Sequence, residues 1–394
     1  MKNLSSIKSL MLLFLLSTMS LLLGCKSNTL VVGAVLPLSG PDQALGEAAR
    51  QGLELAAAQW VEKGNERLDL RIVDSESDPE KAASLLTALY NEDNAVAAIG
   101  VGSTLAARAM APVAHQAERI LILPSEGEQR LAADSEHVYR MTVSDELVGG
   151  KLAAFTYRKL NGKKATILAQ DEHFKASLEA GFGVSFENFG GEYLEAVISE
   201  APDADTVKAL RKSGCDTVAI NGSGAWMEQA VKALRSGNYR GRILAPQSFS
   251  RPATLEALGK DARKVLFAYS PFDIASEPGS QFVEAFEALH GTSPSLFAAE
   301  AYDSLNIFMT ASTDRPAIAS EIRRGLRDEI KNYPAVTGSI ELDASGSPTK
   351  FPSVYSLSSK LAMRDHEALI EKQNADRQAK IKEIERKLRE MGSR

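Results

Sequence analysis

Seven short, nearly continuous apolar runs alternate along this chain with longer amphipathic stretches, and few architectures accept that pattern. The runs are Leu30–Leu38, Leu68–Ser75, Ala95–Val101, Ile120–Ser125, Ala165–Gln170, Asp216–Gly222 and Arg242–Gln247. A strand covered on both faces is apolar on both, so such runs predict parallel strands shielded by helices. The stretches between them are Leu45–Lys63, Asp78–Glu92, Leu105–Ala117, Asp145–Leu160, Ala176–Phe189, Asp205–Ser213 and Ala225–Ser236. Helix-start chemistry agrees: Asp78-Pro79-Glu80 puts proline in a first turn, and Asp203 or Asp205 can cap. Alternation of this length predicts an α/β fold of doubly wound parallel sheets with right-handed crossovers.

The alternation breaks near Val138–Glu146 and again near Val265–Asp273, each an extended run with small or turn-forming residues. Between the breaks lie about 120 residues, one domain inserted into another. Helices are expected at Ser280–Leu289, Phe297–Thr313 and Pro316–Lys331. A hairpin is expected over Ala335–Ser358, turning at Asp343, Gly346 and Pro348. The predicted division is lobe 1 from 28–143 with 272–338, lobe 2 from 144–271 with 339–360, and a charged helical tail over 361–394. In that tail Ile370, Ile381, Ile384, Leu388 and Met391 partly fit a coiled-coil stripe, which Asn374 and Arg377 interrupt. It reads as a solvated helix or as one that docks a protein partner.

The start of the chain carries a different device. Lys2 and Lys8 precede about 14 mostly apolar residues, Leu10–Leu23, too few to span a bilayer comfortably. Residues 1–24 therefore read as an export signal, and Leu22-Leu23-Gly24-Cys25 resembles a bacterial lipobox. Acylation of Cys25 would make it the anchored first residue of the mature chain, since two or more acyl chains hold a protein stably at a membrane. The expected location is the cell envelope, anchored at the membrane and facing the periplasm or the cell exterior. Cys215 is then left without an intrachain partner and reads as a small buried hydrophobe at a strand start. The net charge of −6 argues against a nucleic-acid partner.

No phosphate loop, dinucleotide glycine fingerprint, HExxH or paired CxxC is present, and the five histidines lack metal-ligand spacing. Neither Gly222-Ser223-Gly224 nor the stretch 100–104 places serine between the two glycines of a hydrolase elbow. Nothing here asks for an enzyme, a cofactor or a metal. What recurs is a strand that ends in small hydroxyl and glycine residues just before a helix. Examples are Ser39-Gly40-Pro41, Gly102-Ser103-Thr104, Ser125-Glu126-Gly127, Asn221-Gly222-Ser223 and Gln247-Ser248. One such end is an ordinary helix cap. Five of them, shared between two lobes, point to a cleft that holds a small ligand at the carboxyl ends of the strands.

From about Leu30 to Ser359 the chain resembles the leucine/isoleucine/valine-binding type of bacterial periplasmic binding protein, with the type I fold that serves ABC importers. The likeness lies in the order and spacing of "VGAVLPLSGPDQALGEAARQGLELA", "DSESDPEKAASLLTALYNEDNAVAAIG", "GSTLAARAMAPVA", "ILPSEGE", "VYRMTVSDE" and "AEAYDSL". It implies two lobes joined by three crossings, a small polar ligand and an ABC permease as partner. It further implies that Thr104, Ser125 and Gly127 grip an amino acid, that Phe174 and Ser223 stand where aromatics are common, and that Gln247 stands where a carboxylate often meets the ammonium. Leu45 matches a position that touches the ligand side chain, and Tyr302 lies in a motif bordering the cleft. The chain departs from the pattern: Gln247 is neutral, Gly127 lacks a hydroxyl, Ser223 is not aromatic, and Ser77 and Ser103 replace a disulfide pair.

Two functions follow as expectations. The first is a lipid-anchored solute-binding protein that closes on an amino acid, amide or similar molecule. Its site would draw on Ser39, Leu45, Ser103, Thr104, Ser125, Glu126, Gly127, Phe174, Ser223, Gln247 and Tyr302. The second is a lipoprotein of the same fold that regulates envelope proteins such as peptidoglycan synthases, to whose activators the "PLSGP" stretch is similar.

Overall fold

A computed structural model of the chain describes residues 29–357, apart from 65, 66, 271, 273, 275, 349 and 351. The export signal, Cys25 and the charged tail lie outside the described residues. In chain order the first elements are β1 (Leu30–Leu36), α1 (Gln43–Glu62), β2 (Leu68–Asp74), α2 (Pro79–Asn91), β3 (Ala97–Gly100) and α3 (Thr104–Ala117). Then come β4 (Ile120–Leu123), α4 (Arg130–Ala133), β5 (Val138–Arg140), α5 (Asp145–Leu160), β6 (Lys164–Ala169) and α6 (Glu172–Asn188). They continue with β7 (Glu192–Tyr193), β8 (Val197–Ile198), α7 (Ala204–Ser213), β9 (Thr217–Asn221), α8 (Gly224–Ser236), β10 (Arg242–Ala245) and α9 (Pro252–Leu258). The last are β11 (Val265–Tyr269), α10 (Glu277–His290), α11 (Leu296–Ser312), α12 (Ala319–Glu329), β12 (Tyr333–Ala335), β13 (Gly338–Ile340) and β14 (Ser353–Ser356).

Two sheets result. The first runs β2-β1-β3-β4-β5 and is parallel throughout. The second runs β14-β11-β10-β9-β6-β7, with β8 also on β6, and is parallel except at β14. Each is doubly wound, and its order reverses at one place: between β1 and β3 in the first sheet, between β6 and β9 in the second. The apolar runs are buried as that arrangement requires. Val32, Ala34, Leu36, Ile99, Ile122, Ile167, Ile220 and Leu244 are all closed to solvent, each worth about 1–3 kcal/mol of burial according to its size.

α11 is the most buried helix and lies along α1. The two approach so closely that a Cβ on Gly52 would sit 2.1 Å from the Ala298 carbonyl oxygen. Cys215 is buried and unbridged, as its surroundings predict.

The hairpin expected over Ala335–Ser358 does not form as one unit. β12 pairs with β13 across a turn in which Gly338 takes a φ of 98°, a conformation that favours glycine. β14 instead adds antiparallel to the edge of β11. The reason is a distant partner: Tyr355 packs its ring 5.9 Å from Tyr269 and 6.5 Å from Phe267, contacts the local hairpin cannot offer. The turn residues do their part. Asp343 Oδ1 accepts from the backbone N–H groups of Ser345 and Ser347.

Candidate functional site

In an open α/β sheet the loops diverge where the strand order reverses, leaving a crevice at the carboxyl ends of the two strands concerned. In the first sheet those ends lead into Ser39 and into Ser103-Thr104. In the second they lead into Asp171–Phe174 and Ser223.

The first-sheet loops are tightly held. Asp74, at the end of β2, accepts from the Leu38 and Ser39 amides at 2.9 and 3.2 Å and from the Ser39 hydroxyl at 2.7 Å. Ser103 caps α3 by accepting from the Ala106 amide. The Thr104 hydroxyl faces Glu126 Oε1 at 3.4 Å, and that oxygen also accepts from the Glu128 amide at 2.8 Å. Both Thr104 and Glu126 are buried. Ser125 donates to Glu300 Oε2 at 2.7 Å. A Cβ on Gly127 would lie 2.3 Å from Asp145 Oδ1, so any larger residue here would have to displace the Asp145 carboxylate. Leu45 belongs to the core of the first sheet.

On the second sheet, Asp171 caps α6 by accepting from the Phe174 amide at 2.9 Å. The Phe174 carbonyl accepts from Asn221 Nδ2 at 2.9 Å, and the Ser223 amide donates to Gln170 Oε1 at 2.8 Å. Gln247 Nε2 donates to Thr142 Oγ1 at 2.9 Å and to Glu300 Oε1 at 3.2 Å.

Arg108 joins the two sides. From α3 it donates to Glu128 Oε2 at 2.7 Å and to Asp171 Oδ2 at 3.0 Å, and its guanidinium lies over the Phe174 ring. Burial opposes ionisation of Asp171, but the Phe174 amide and Arg108 outweigh it and hold that carboxyl below its ordinary value. Burial dominates at Glu128 and pushes its carboxyl up, against the pull of Arg108.

A family model described as "Periplasmic binding protein" matches residues 29–345. This chain belongs to the periplasmic binding protein family. The Leu/Ile/Val-binding protein homolog 3 of Brucella melitensis is 20% identical over 315 residues, covering 75% of this chain and 83% of that protein. The homolog 6 of Brucella abortus is 22% identical over 324 residues, covering 79% and 81%. Among solved structures, the leucine-binding protein LivK of Thermotoga maritima shares the fold with a TM-score of 0.74 at 21% identity, covering 84% of this chain and 96% of that one. LivJ of Streptococcus pneumoniae, solved with isoleucine, has a TM-score of 0.70 at 23% identity, covering 84% and 96%. A solute-binding protein of R. palustris, solved with benzoate, has a TM-score of 0.68 at 22% identity, covering 84% and 94%.

Periplasmic binding proteins of this kind are substrate-binding proteins, not enzymes. Among the described residues of this one, no group of three or more His, Cys, Asp or Glu could hold a metal ion. The expected site residues fall into three sets. Thr104 and Glu126 touch each other, Ser125 and Gln247 meet through Glu300, and Phe174 is reached through Arg108. Ser39, Ser103 and Ser223 stand at the strand ends, the Ser39 hydroxyl donating to Asp74, the Ser103 hydroxyl accepting from the Ala106 amide and the Ser223 amide donating to Gln170. Tyr302 stands elsewhere: it donates to Gln59 Oε1 at 2.6 Å, packs against Phe282 and lines a separate cavity of about 720 Å³ with Asn306 and Tyr333.

Sequence reasoning did not single out Arg108, Arg140, Asp145, Glu300 or Lys350. Arg140 is fully buried and donates to the carbonyls of Glu126 and Gly127 and to Ser347 Oγ, fixing the loop that carries the site. Asp145 accepts from Ser177 Oγ, and burial raises its carboxyl. A signal did exist for Arg140 and Glu300, since each is a lone charge in an otherwise apolar run.

Proposed function

We propose that this periplasmic binding protein is a lipid-anchored solute receptor that closes its two lobes on a small polar ligand and delivers it to an ABC importer. The observation that carries the reading is the meeting of the two strand-order reversals, with Thr104, Ser125 and Glu126 on one side and Phe174 and Gln247 on the other. Hydroxyls and carboxylates there suit a ligand that donates hydrogen bonds, and Phe174 offers an apolar face. An amino acid, an amide or a similar molecule has that chemistry, which agrees with the leucine and isoleucine named for two relatives, whereas the benzoate named for a third matches only the apolar face. Closure would be a hinge motion at the connections near 142–145, 269–273 and 336–342. The anchor is Cys25, through the likeness of its surroundings to a lipobox.

A thermal-shift panel of amino acids, amides and small carboxylates tests the ligand reading. A ligand present at 100 times its Kd raises stability by about 2.7 kcal/mol. A folded protein whose unfolding moves with no member of the panel would falsify it. The anchor is tested by mass spectrometry of the N-terminal peptide, where an acyl mass on Cys25 is expected and is lost in Cys25→Ser.

A further inference from the structure

Glu300 lies in α11 among apolar residues and is 1% exposed. Its two carboxylate oxygens serve different sheets. Oε2 accepts from Ser125 Oγ, beyond β4 of the first sheet, and Oε1 accepts from Gln247 Nε2, beyond β10 of the second. Gln247 reaches on to two of the three connections between the sheets, donating to Thr142 Oγ1 and accepting from the Ser270 amide at 3.1 Å. One turn along α11, Asp303 holds the third connection by accepting from the amides of Val336 and Thr337 and from the Thr337 hydroxyl. Lys350 completes the set, donating to Thr337 Oγ1 and to the Met141 carbonyl, both at 2.7 Å.

A buried carboxylate costs several kcal/mol even when it is well bonded, and an apolar core would hold a static joint at least as well. We infer that Glu300 is a protonation-dependent tie between the two sheets, a positioning residue that sets Ser125 relative to Gln247. Ionised, it accepts from both partners and holds them together. Protonated, one oxygen must donate, so one of the two bonds is lost or reversed and the joint relaxes.

The charged surroundings allow that titration near neutrality. The loop after β4 presents Ser125, the first connection Thr142 and the turn after β10 Gln247, and none of these titrates. α1 meets α11 through Gly52 against the Ala298 backbone. The one cation facing the group is Lys350, whose ammonium is also shared with Asp303 on α11 itself. Burial prevails over Lys350 and the hydrogen bonds, and pushes the Glu300 carboxyl up to about 7. The inference also deepens the ligand reading and there rests on it. While Glu300 accepts the Ser125 hydrogen bond, the Ser125 lone pairs are free to accept from a ligand.

The test needs no ligand. Spin labels at Val61→Cys on α1 and Val184→Cys on α6, both exposed positions, report the distance between the sheets from pH 5.5 to 8.5. The expected result is a distance distribution that shifts and broadens below about pH 7, and that stays fixed over the whole range in Glu300→Gln, an isostere that cannot titrate. A wild-type distribution that does not change with pH overturns the inference. So does a Glu300→Gln protein that follows the wild-type profile, because another titrating group would then be responsible. If Glu300→Gln does not fold, the carboxyl resonance of the wild-type protein, followed by NMR, still decides: a midpoint at the ordinary 4.5 overturns the inference. Either outcome leaves the thermal-shift result to stand or fall by itself.

Discussion

The Arg108 guanidinium lies 4.3 Å from the centroid of the Phe174 ring, although the two residues follow strands of different sheets. The same guanidinium pairs with Glu128 beside it and with Asp171 across the junction. Arg108 is thus the one cation that touches carboxylates from both sides among the ion pairs of the described residues, and its loss has a definite consequence.

Arg108→Ala leaves Glu128 buried without its cation and removes the bond to Asp171. Leaving one buried partner of a charged hydrogen bond costs about 1–3 kcal/mol. Thermal unfolding should show that loss, and small-angle scattering should show a larger radius of gyration. An unchanged midpoint and an unchanged radius would mean that the contact holds nothing together.

Asp303 should matter more, because it satisfies two buried amides and a hydroxyl at the third connection. Asp303→Ala is expected to cost about 3–5 kcal/mol in urea unfolding. Asp303→Asn keeps an acceptor for one of the amides and should cost about 1–3 kcal/mol. Equal costs for the two variants would show that the side chain's volume matters and its hydrogen bonds do not.

Glu300 gives stability a pH dependence of known sign. Its carboxyl sits at the ordinary 4.5 when unfolded and at about 7 when folded. Folding therefore takes up a proton between those values, and the stability present below pH 4.5 is lost as the pH rises through 7. A shift of that size corresponds to about 3 kcal/mol. Urea unfolding between pH 5 and pH 8 should show the wild type weakening with pH relative to Glu300→Gln. Parallel profiles would place the carboxyl at its ordinary value.

Much of the fold was legible because each strand carries its own evidence. A run such as Ala165–Gln170 can be buried on both faces only inside a parallel sheet, whatever the rest of the chain does. β14 was not legible, since its place depends on Tyr355 finding Tyr269 and Phe267 far away in sequence. The site divides the same way. Thr104, Ser125 and Gln247 follow strands, and their positions could be read from strand ends, whereas Phe174 came only from the family resemblance. Arg108 sits within a helix, where a charge looks like any other until tertiary packing decides what it faces. Glu300 stood in a quoted motif, "AEAYDSL", yet its role comes from Ser125 and Gln247, which lie 175 and 53 residues away.

Calorimetric titration of amino acids, amides and small carboxylates into the wild type and into Thr104→Val tests most directly whether the two strand-end clusters form one ligand cleft. At least one compound should bind the wild type with one-to-one stoichiometry. Thr104→Val, which removes a hydroxyl buried beside Glu126 at nearly constant volume, should weaken that compound about tenfold or more, equivalent to about 1.4 kcal/mol. A folded wild type that binds nothing in the panel would contradict the cleft, and so would a ligand whose affinity is the same for both proteins.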